Sequence, residues 1–272
     1  MNSLWHRSST EIVIMFQQLL KSAGPPVVGT FVKIPSLEIA EIIGTAGFDF
    51  VVIDTEHALL SVRDVYSLVV LYSRMDVAPL VRITDHGYGD AQRYLDAGAA
   101  GILVPHVSNA AQAETTMKQF LFPPAGTRGM GLAARAGLWG SISGGAAEYV
   151  RAGQEDVARI AMVEEREAVE DIEAILTVPG VDAVFIGPGD LSLSLGVPGG
   201  SPAVHDAVTR SIKAAVRAGV PVGTVAQGEE QIRLRAEQGC RFILVGNDTG
   251  MISGAARRTL SQAQDALPVA VR

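Results

Sequence analysis

Eight short apolar runs, each followed by a stretch of helical periodicity, limit what this chain can become more than any other feature. The runs are Val27 to Val32, Phe50 to Ile53, Pro79 to Ile83, Gly101 to Val104, Arg159 to Val163, Ala183 to Ile186, Val220 to Thr224 and Phe242 to Val245. They are almost continuously apolar rather than alternating, which is the signature of parallel strands buried on both faces. Helical spacing fills Leu37 to Ala46, Val62 to Ser73, Ala91 to Ala97, Ala110 to Phe120 and Ala168 to Leu176. A helix-ending glycine recurs before several strands, as in Ala46-Gly47-Phe48-Asp49, Ala97-Gly98-Ala99-Ala100, Ala218-Gly219-Val220 and Gln238-Gly239-Cys240-Arg241. Such a residue caps the helix in the left-handed conformation and turns the chain into the next strand. Eight units in 272 residues match an α/β (β/α)8 TIM barrel, with its site at the C-terminal ends of the strands. A doubly wound open sheet stays as the alternative, because strand count alone does not close a barrel.

The expected division is a helical lead-in over 1–26 and a catalytic barrel over 27–272. Within the lead-in, Ile12 to Leu20 reads as an amphipathic helix that covers the bottom of the domain or a partner subunit. Glu11, Gln17 and Gln18 break its apolar character, so neither a signal peptide nor a bilayer span of about 20 residues is expected. A formal net charge of -7 without a basic cluster argues against nucleic acid. One cysteine, Cys240, leaves no intramolecular disulfide and suits a reducing compartment. The chain therefore reads as soluble and cytoplasmic. One connection is anomalous: from Phe122 to about Asp156 runs a glycine-rich stretch with a short helix around Glu148 to Ala152. Arg128 and Arg135 in it are expected to overhang the active face.

Several runs deliver ionisable residues as they stop. Two acids, Glu164 after Met162-Val163 and Asp190 after Ile186-Gly187-Pro188-Gly189, lie one β/α repeat apart and so on neighbouring strands. An acid there is costly to bury unless a cation neutralises it. The pair suits Mg²⁺ or Mn²⁺, with room for a chelating substrate. The turn at Gly187-Pro188-Gly189 offers backbone N–H groups to an anion beside it. Asp54, Glu56 and His57 crowd the end of the second run, which favours a functional His57. Arg82, closing Pro79-Leu80-Val81, is placed to hold a carboxylate or a developing oxyanion. His6, His86, His106 and His205 read as structural, with a role supporting the site from behind left open for His106, after Val104-Pro105.

Five motifs in order, Asp54-Thr55-Glu56-His57, Pro79-Leu80-Val81-Arg82, Phe122-Pro123-Pro124-Ala125-Gly126-Thr127-Arg128-Gly129, Glu164-Glu165-Arg166-Glu167-Ala168 and Phe185-Ile186-Gly187-Pro188-Gly189-Asp190-Leu191-Ser192, resemble the HpcH/HpaI family of metal-dependent pyruvate aldolases. The resemblance spans roughly Val27 to Gly250. It implies cleavage or formation of 4-hydroxy-2-oxo acids, yielding pyruvate and an aldehyde, with Mg²⁺, Mn²⁺ or Co²⁺ held by Glu164 and Asp190. It further implies His57 as acid/base, Arg82 as stabiliser of the enolate, Asp96 as the aspartate that raises the basicity of His57, and Gly189 as a backbone contact to substrate. A hexamer whose barrels exchange the last helix, here Gly250 to Ala266, is implied as well.

Three positions depart from that pattern. Met162 stands where the family usually has a substrate-contacting glutamine, Thr55 replaces a glycine, and the Gly129-Met130-Gly131-Leu132 loop is one residue short and lacks a small polar residue. Retained retro-aldol chemistry with altered substrate preference is the expectation. Rival readings are a Schiff-base aldolase, for which only Lys33 of the four lysines approaches a catalytic strand end, an acyl-CoA lyase of malyl or citryl type, and a non-catalytic 2-oxo-acid-binding oligomer. Gly129-x-Gly131-x-x-Ala134 hints at a dinucleotide site, weakly, since Pro-Pro-Ala-Gly rather than a strand precedes it.

Overall fold

The computed structural model describes residues 16–20 and 24–267. Residues 12–15 of the expected Ile12 to Leu20 helix, and His6, lie outside the described residues, and 16–20 are helical. Eight parallel strands, β1 (Val27–Val32), β2 (Phe50–Asp54), β3 (Ala78–Arg82), β4 (Gly101–Val104), β5 (Ala158–Val163), β6 (Ala183–Ile186), β7 (Val222–Val225) and β8 (Phe242–Asn247), follow one another around a closed barrel. Closure rests on β1 pairing with β8, from Val27 opposite Phe242 to Phe31 opposite Asn247, and this excludes the open-sheet alternative. Between the strands lie α1 (Leu37–Thr45), α2 (Val62–Tyr72), α3 (Tyr88–Asp96), α4 (Ala110–Lys118), α5 (Gly145–Glu155), α6 (Arg166–Glu170), α7 (Ile172–Ile175), α8 (Pro188–Leu195), α9 (Pro202–Ala218) and α10 (Gly228–Glu237), and α11 (Asp248–Ala266) follows β8.

Two boundaries differ from expectation for local reasons. The Ala168 to Leu176 helix is two pieces, because Asp171 leaves helical geometry and accepts the Ala110 N–H at 2.7 Å. The seventh strand starts after Val220, whose N–H is spent closing α9 on the Ala215 carbonyl at 3.0 Å.

Four phenyl rings plug the bottom of the barrel. Phe242 lies 6.1 Å from Phe50, 6.0 Å from Phe185 and 6.2 Å from Phe16 of the lead-in segment. Gly29 and Gly223 make room for this: a Cβ on either would run into the Phe50 or Phe242 ring. The acidic and basic strand ends are thereby segregated at the opposite rim.

The long connection folds down on the barrel instead of hanging over the site. It forms a 3-10 turn (Arg135–Gly140) and α5, longer than the expected Glu148 to Ala152, around a small apolar cluster of Phe122, Ile142 and Tyr149. Arg128 and Arg135, expected above the active face, are buried. The Arg128 guanidinium lies over the Phe122 ring at 4.6 Å, and Arg135 Nη1 donates to the Ala97 carbonyl at 2.7 Å. A flat cation satisfied by an aromatic face or a carbonyl loses little on burial, which the glycine-rich composition does not reveal.

Among the described residues, α11 is anchored at its start. Asp248, fully buried, accepts the N–H groups of Lys33 and Ile34, both at 2.9 Å, and Asn247 caps the helix through the Gly250 N–H. Beyond that turn the helix is exposed, Met251, Ile252 and Leu260 included. Truncating Phe242 to alanine leaves a void beneath the strand ends; a loss of about 3–5 kcal/mol is expected in denaturant unfolding, with divalent-cation binding at the opposite rim retained.

Candidate active site

The site begins with a fork. Asp54, last residue of β2, has no solvent exposure, and Arg82, last residue of β3, meets it through Nε to Oδ1 at 3.0 Å and Nη2 to Oδ2 at 2.7 Å. The register that sets Asp54 opposite Arg82 makes this bidentate pair possible. Burial pushes the Asp54 carboxyl up, but Arg82, the His57 N–H and Lys33 outweigh it and hold the group below the usual aspartate range. Lys33, just after β1, approaches Asp54 Oδ2 at 3.1 Å. An amine tied into this ion pair with a buried carboxylate is not free to attack a carbonyl, which weakens the Schiff-base reading.

From this fork the next loop is suspended. Asp54 Oδ1 also accepts the N–H groups of Glu56 (3.2 Å) and His57 (3.1 Å), and the Thr55 hydroxyl donates to the Arg82 carbonyl at 2.6 Å. Thr55 in place of glycine therefore pins the loop rather than only crowding it. The His57 side chain is left half exposed, its Nε2 3.8 Å from Glu56. Glu56 Oε2 is ion-paired with Arg82 Nη1 at 2.8 Å. The fork to Asp54 uses two of the five guanidinium N–H groups.

Across the mouth, Glu164 follows β5 and is buried. Its Oε1 accepts the His106 N–H at 2.8 Å, while Oε2 has no hydrogen-bond partner among the described residues. Burial, then the charges of Asp190 and Glu56 acting against His106, push the Glu164 carboxyl up to about 7. Gly187 is required here, since a Cβ would come within 2.7 Å of Glu164 Oε2. Asp190 sits in the first turn of α8, partly exposed. The Gly187 N–H is spent on the Val163 carbonyl at 3.1 Å and Pro188 has none, so the expected anion-binding turn reduces to the first amides of α8, at Gly189 and Asp190. Met162, buried two residues before Glu164 on the same side of β5, makes the layer under it apolar.

Of the residues singled out from sequence, Asp54, Glu56 and Arg82 come together on one side of the mouth, with His57 at its rim, and Glu164 and Asp190 on the other. Asp96 is not joined to His57 by any hydrogen bond within the chain. At the end of α3 it accepts from the Tyr149 hydroxyl at 3.1 Å and Gln92 Nε2 at 3.2 Å, with Arg128 Nη2 at 3.7 Å. Gly131 packs so closely that a Cβ would lie 2.7 Å from the Asp96 carboxylate, which accounts for a glycine in that loop without any nucleotide. His106 proves more central than its sequence position suggests: its Nε2 lies 3.1 Å from Glu56 and its Nδ1 3.2 Å from Glu165. Burial lowers its pKa, and Glu164, Glu56 and Glu165 together raise it above the ordinary histidine value.

Among the described residues, the carboxylates of Asp54, Glu56, Glu164, Glu165 and Asp190 thus face the basic groups of Lys33, Arg82 and His106. The excess negative charge and the unpartnered buried oxygen of Glu164 fit a hard divalent cation. No three His, Cys, Asp or Glu among the described residues cluster to enclose an ion. Two acids with coordination positions left for water and substrate suit Mg²⁺ rather than a closed cage.

The HpcH/HpaI aldolase/citrate lyase family pattern matches residues 28–255. A hydroxypyruvate/pyruvate aldolase of Pseudomonas aeruginosa is 34% identical over 256 residues, 93% of this chain and 94% of that one. A 4-hydroxy-2-oxo-heptane-1,7-dioate aldolase of Escherichia coli is 34% identical over 244 residues, 89% and 91% of the two chains. The crystal structure of an HpcH/HpaI aldolase from Desulfitobacterium hafniense superimposes with a TM-score of 0.86 at 31% identity, covering 94% of this chain and 98% of that chain.

A carboxyl raised from 4.5 to about 7 by folding binds its proton more tightly in the folded state. Metal-free protein is therefore expected to lose stability as pH rises through that window, and His106, also raised, acts in the same direction. Thermal melts of the metal-free protein at pH 5.5 and 7.5 should show the drop. Glu164→Gln should reduce it while abolishing Mn²⁺ binding.

Proposed function

Because the chain belongs to the HpcH/HpaI aldolase/citrate lyase family, we propose that it is a divalent-metal-dependent carbon–carbon lyase that cleaves or forms 4-hydroxy-2-oxo acids, giving pyruvate and an aldehyde. The observation that carries this reading is the buried, unpartnered Glu164 Oε2 beside the Asp190 charge, opposite the Arg82–Asp54 fork. Glu164 and Asp190 would hold Mg²⁺, Mn²⁺ or Co²⁺, which supplies a Lewis acid and a point of chelation for a 2-oxo acid.

The remaining work falls to the chain. His57, on a loop fixed by Asp54 and exposed to the mouth, takes the proton of the C4 hydroxyl. As the C4 carbonyl forms, the C3–C4 bond breaks and its electron pair moves onto the C2 oxygen, leaving the enolate of pyruvate. The Arg82 guanidinium offsets that charge, and Asp54 and Glu56 fix it in place before the charge develops. Return of that proton from His57, directly or through water, to C3 completes pyruvate. The Gly189 and Asp190 amides are suited to the substrate carboxylate. Met162 offers apolar surface where a polar contact is usual, which favours a change in substrate preference. By resemblance Asp96 supports His57; within one chain its bonds go to Tyr149 and Gln92, so that role requires the His57 loop of another subunit or a rearrangement of the Gly131 loop. The exposed α11, with Met251, Ile252 and Leu260 uncovered, supports exchange of the last helix in a hexamer. The one buried thiol, Cys240, suits the cytoplasm.

Protein stripped by chelator and given a panel of 4-hydroxy-2-oxo acids is expected to release pyruvate, read by coupled reduction to lactate, only after Mg²⁺, Mn²⁺ or Co²⁺ is restored. Turnover unaffected by chelation would defeat the metal role. Arg82→Lys keeps the charge but loses the fork, and kcat is expected to fall at least 100-fold.

A further inference from the structure

His106 is a non-glycine residue held in the left-handed region, at φ 53°. A backbone in that region is uncommon for any residue but glycine, histidine entering it more readily than most, and it persists where surrounding contacts hold it. Those contacts are present. The imidazole Nε2 lies 3.1 Å from Glu56 Oε1, on the loop after β2, and Nδ1 lies 3.2 Å from Glu165 Oε1, after β5. Glu165 is fixed in turn by the Ser108 hydroxyl, and Glu56 by Arg82. The result of the unusual backbone is that the His106 N–H points at Glu164 Oε1, 2.8 Å away, while Oε2 is left without a partner.

Resting on the aldolase reading, we propose that His106 is a positioning residue for the cation site. Its side chain, strung between Glu56 and Glu165, holds the left-handed backbone whose N–H ties down one oxygen of Glu164, so that the other is presented to the metal. The same imidazole links the Arg82 side of the mouth to the Glu164 side, which no other described residue bonds to both.

The test is Mn²⁺ binding, read from the electron paramagnetic resonance signal of the free ion, on wild type, His106→Ala and His106→Asn. Alanine removes both anchors and tolerates the left-handed backbone poorly; affinity is expected to fall roughly 10-fold or more. Asparagine enters that region readily and retains a hydrogen-bonding side chain, so it should recover most of the loss. At saturating Mn²⁺ the alanine variant should regain most of its kcat, because the imidazole acts through the metal site. Wild-type Mn²⁺ affinity in the alanine variant, or an asparagine variant as weak as alanine, would overturn the proposal. If circular dichroism shows the alanine variant unfolded, the asparagine variant decides alone: near-wild-type affinity supports the proposal and a 10-fold loss sinks it. Wild-type protein that binds no Mn²⁺ would instead defeat the aldolase reading itself.

Discussion

The pairing of Asp54 with Arg82 is the interaction on which the rest of the site hangs. A carboxylate with no exposure would ordinarily be neutralised, yet two cations and two backbone amides hold this one charged. Breaking a buried pair of this kind leaves a charge uncompensated, at a cost of about 3–5 kcal/mol. Its geometry depends on the barrel, because parallel register places the two residues opposite each other at the last step of β2 and β3. In turn it sets the His57 loop and the direction of the guanidinium. Fold and chemistry are joined at this point by four hydrogen bonds to one side chain.

Opposite the fork, the physics is reversed. Glu164 is buried next to other negative charge and given one hydrogen bond where it has room for more. The two halves of the mouth are complementary: one is already neutral and rigid, the other is short of positive charge. A barrel concentrates both at one rim because its interior is filled below by Phe16, Phe50, Phe185 and Phe242.

Much of this was legible in the sequence. Near-continuous apolar runs located eight strands, and where they stopped they pointed to Arg82, Glu164 and Asp190. What local pattern could not supply was direction. Arg128 and Arg135 look set to overhang the active face from a glycine-rich stretch, but they turn inward, Arg128 onto the nearby Phe122 ring and Arg135 onto the Ala97 carbonyl, a partner distant in sequence. Asp96 was assigned to His57 by resemblance, whereas inside one chain Tyr149 and Gln92 take its bonds. His106 followed Val104-Pro105 at a strand end, the one signal available. Its importance comes from Glu56, Glu164 and Glu165, which converge only when β2 and β5 are brought to the same rim.

The phenyl plug has a consequence for access. With the floor of the barrel filled by Phe16, Phe50, Phe185 and Phe242, the space around Glu164 is a blind alley that opens at the rim where the strands end. One doorway then serves entry and exit alike, and the packing of four aromatic rings on the far side of the fold is what makes the loops of that rim its threshold.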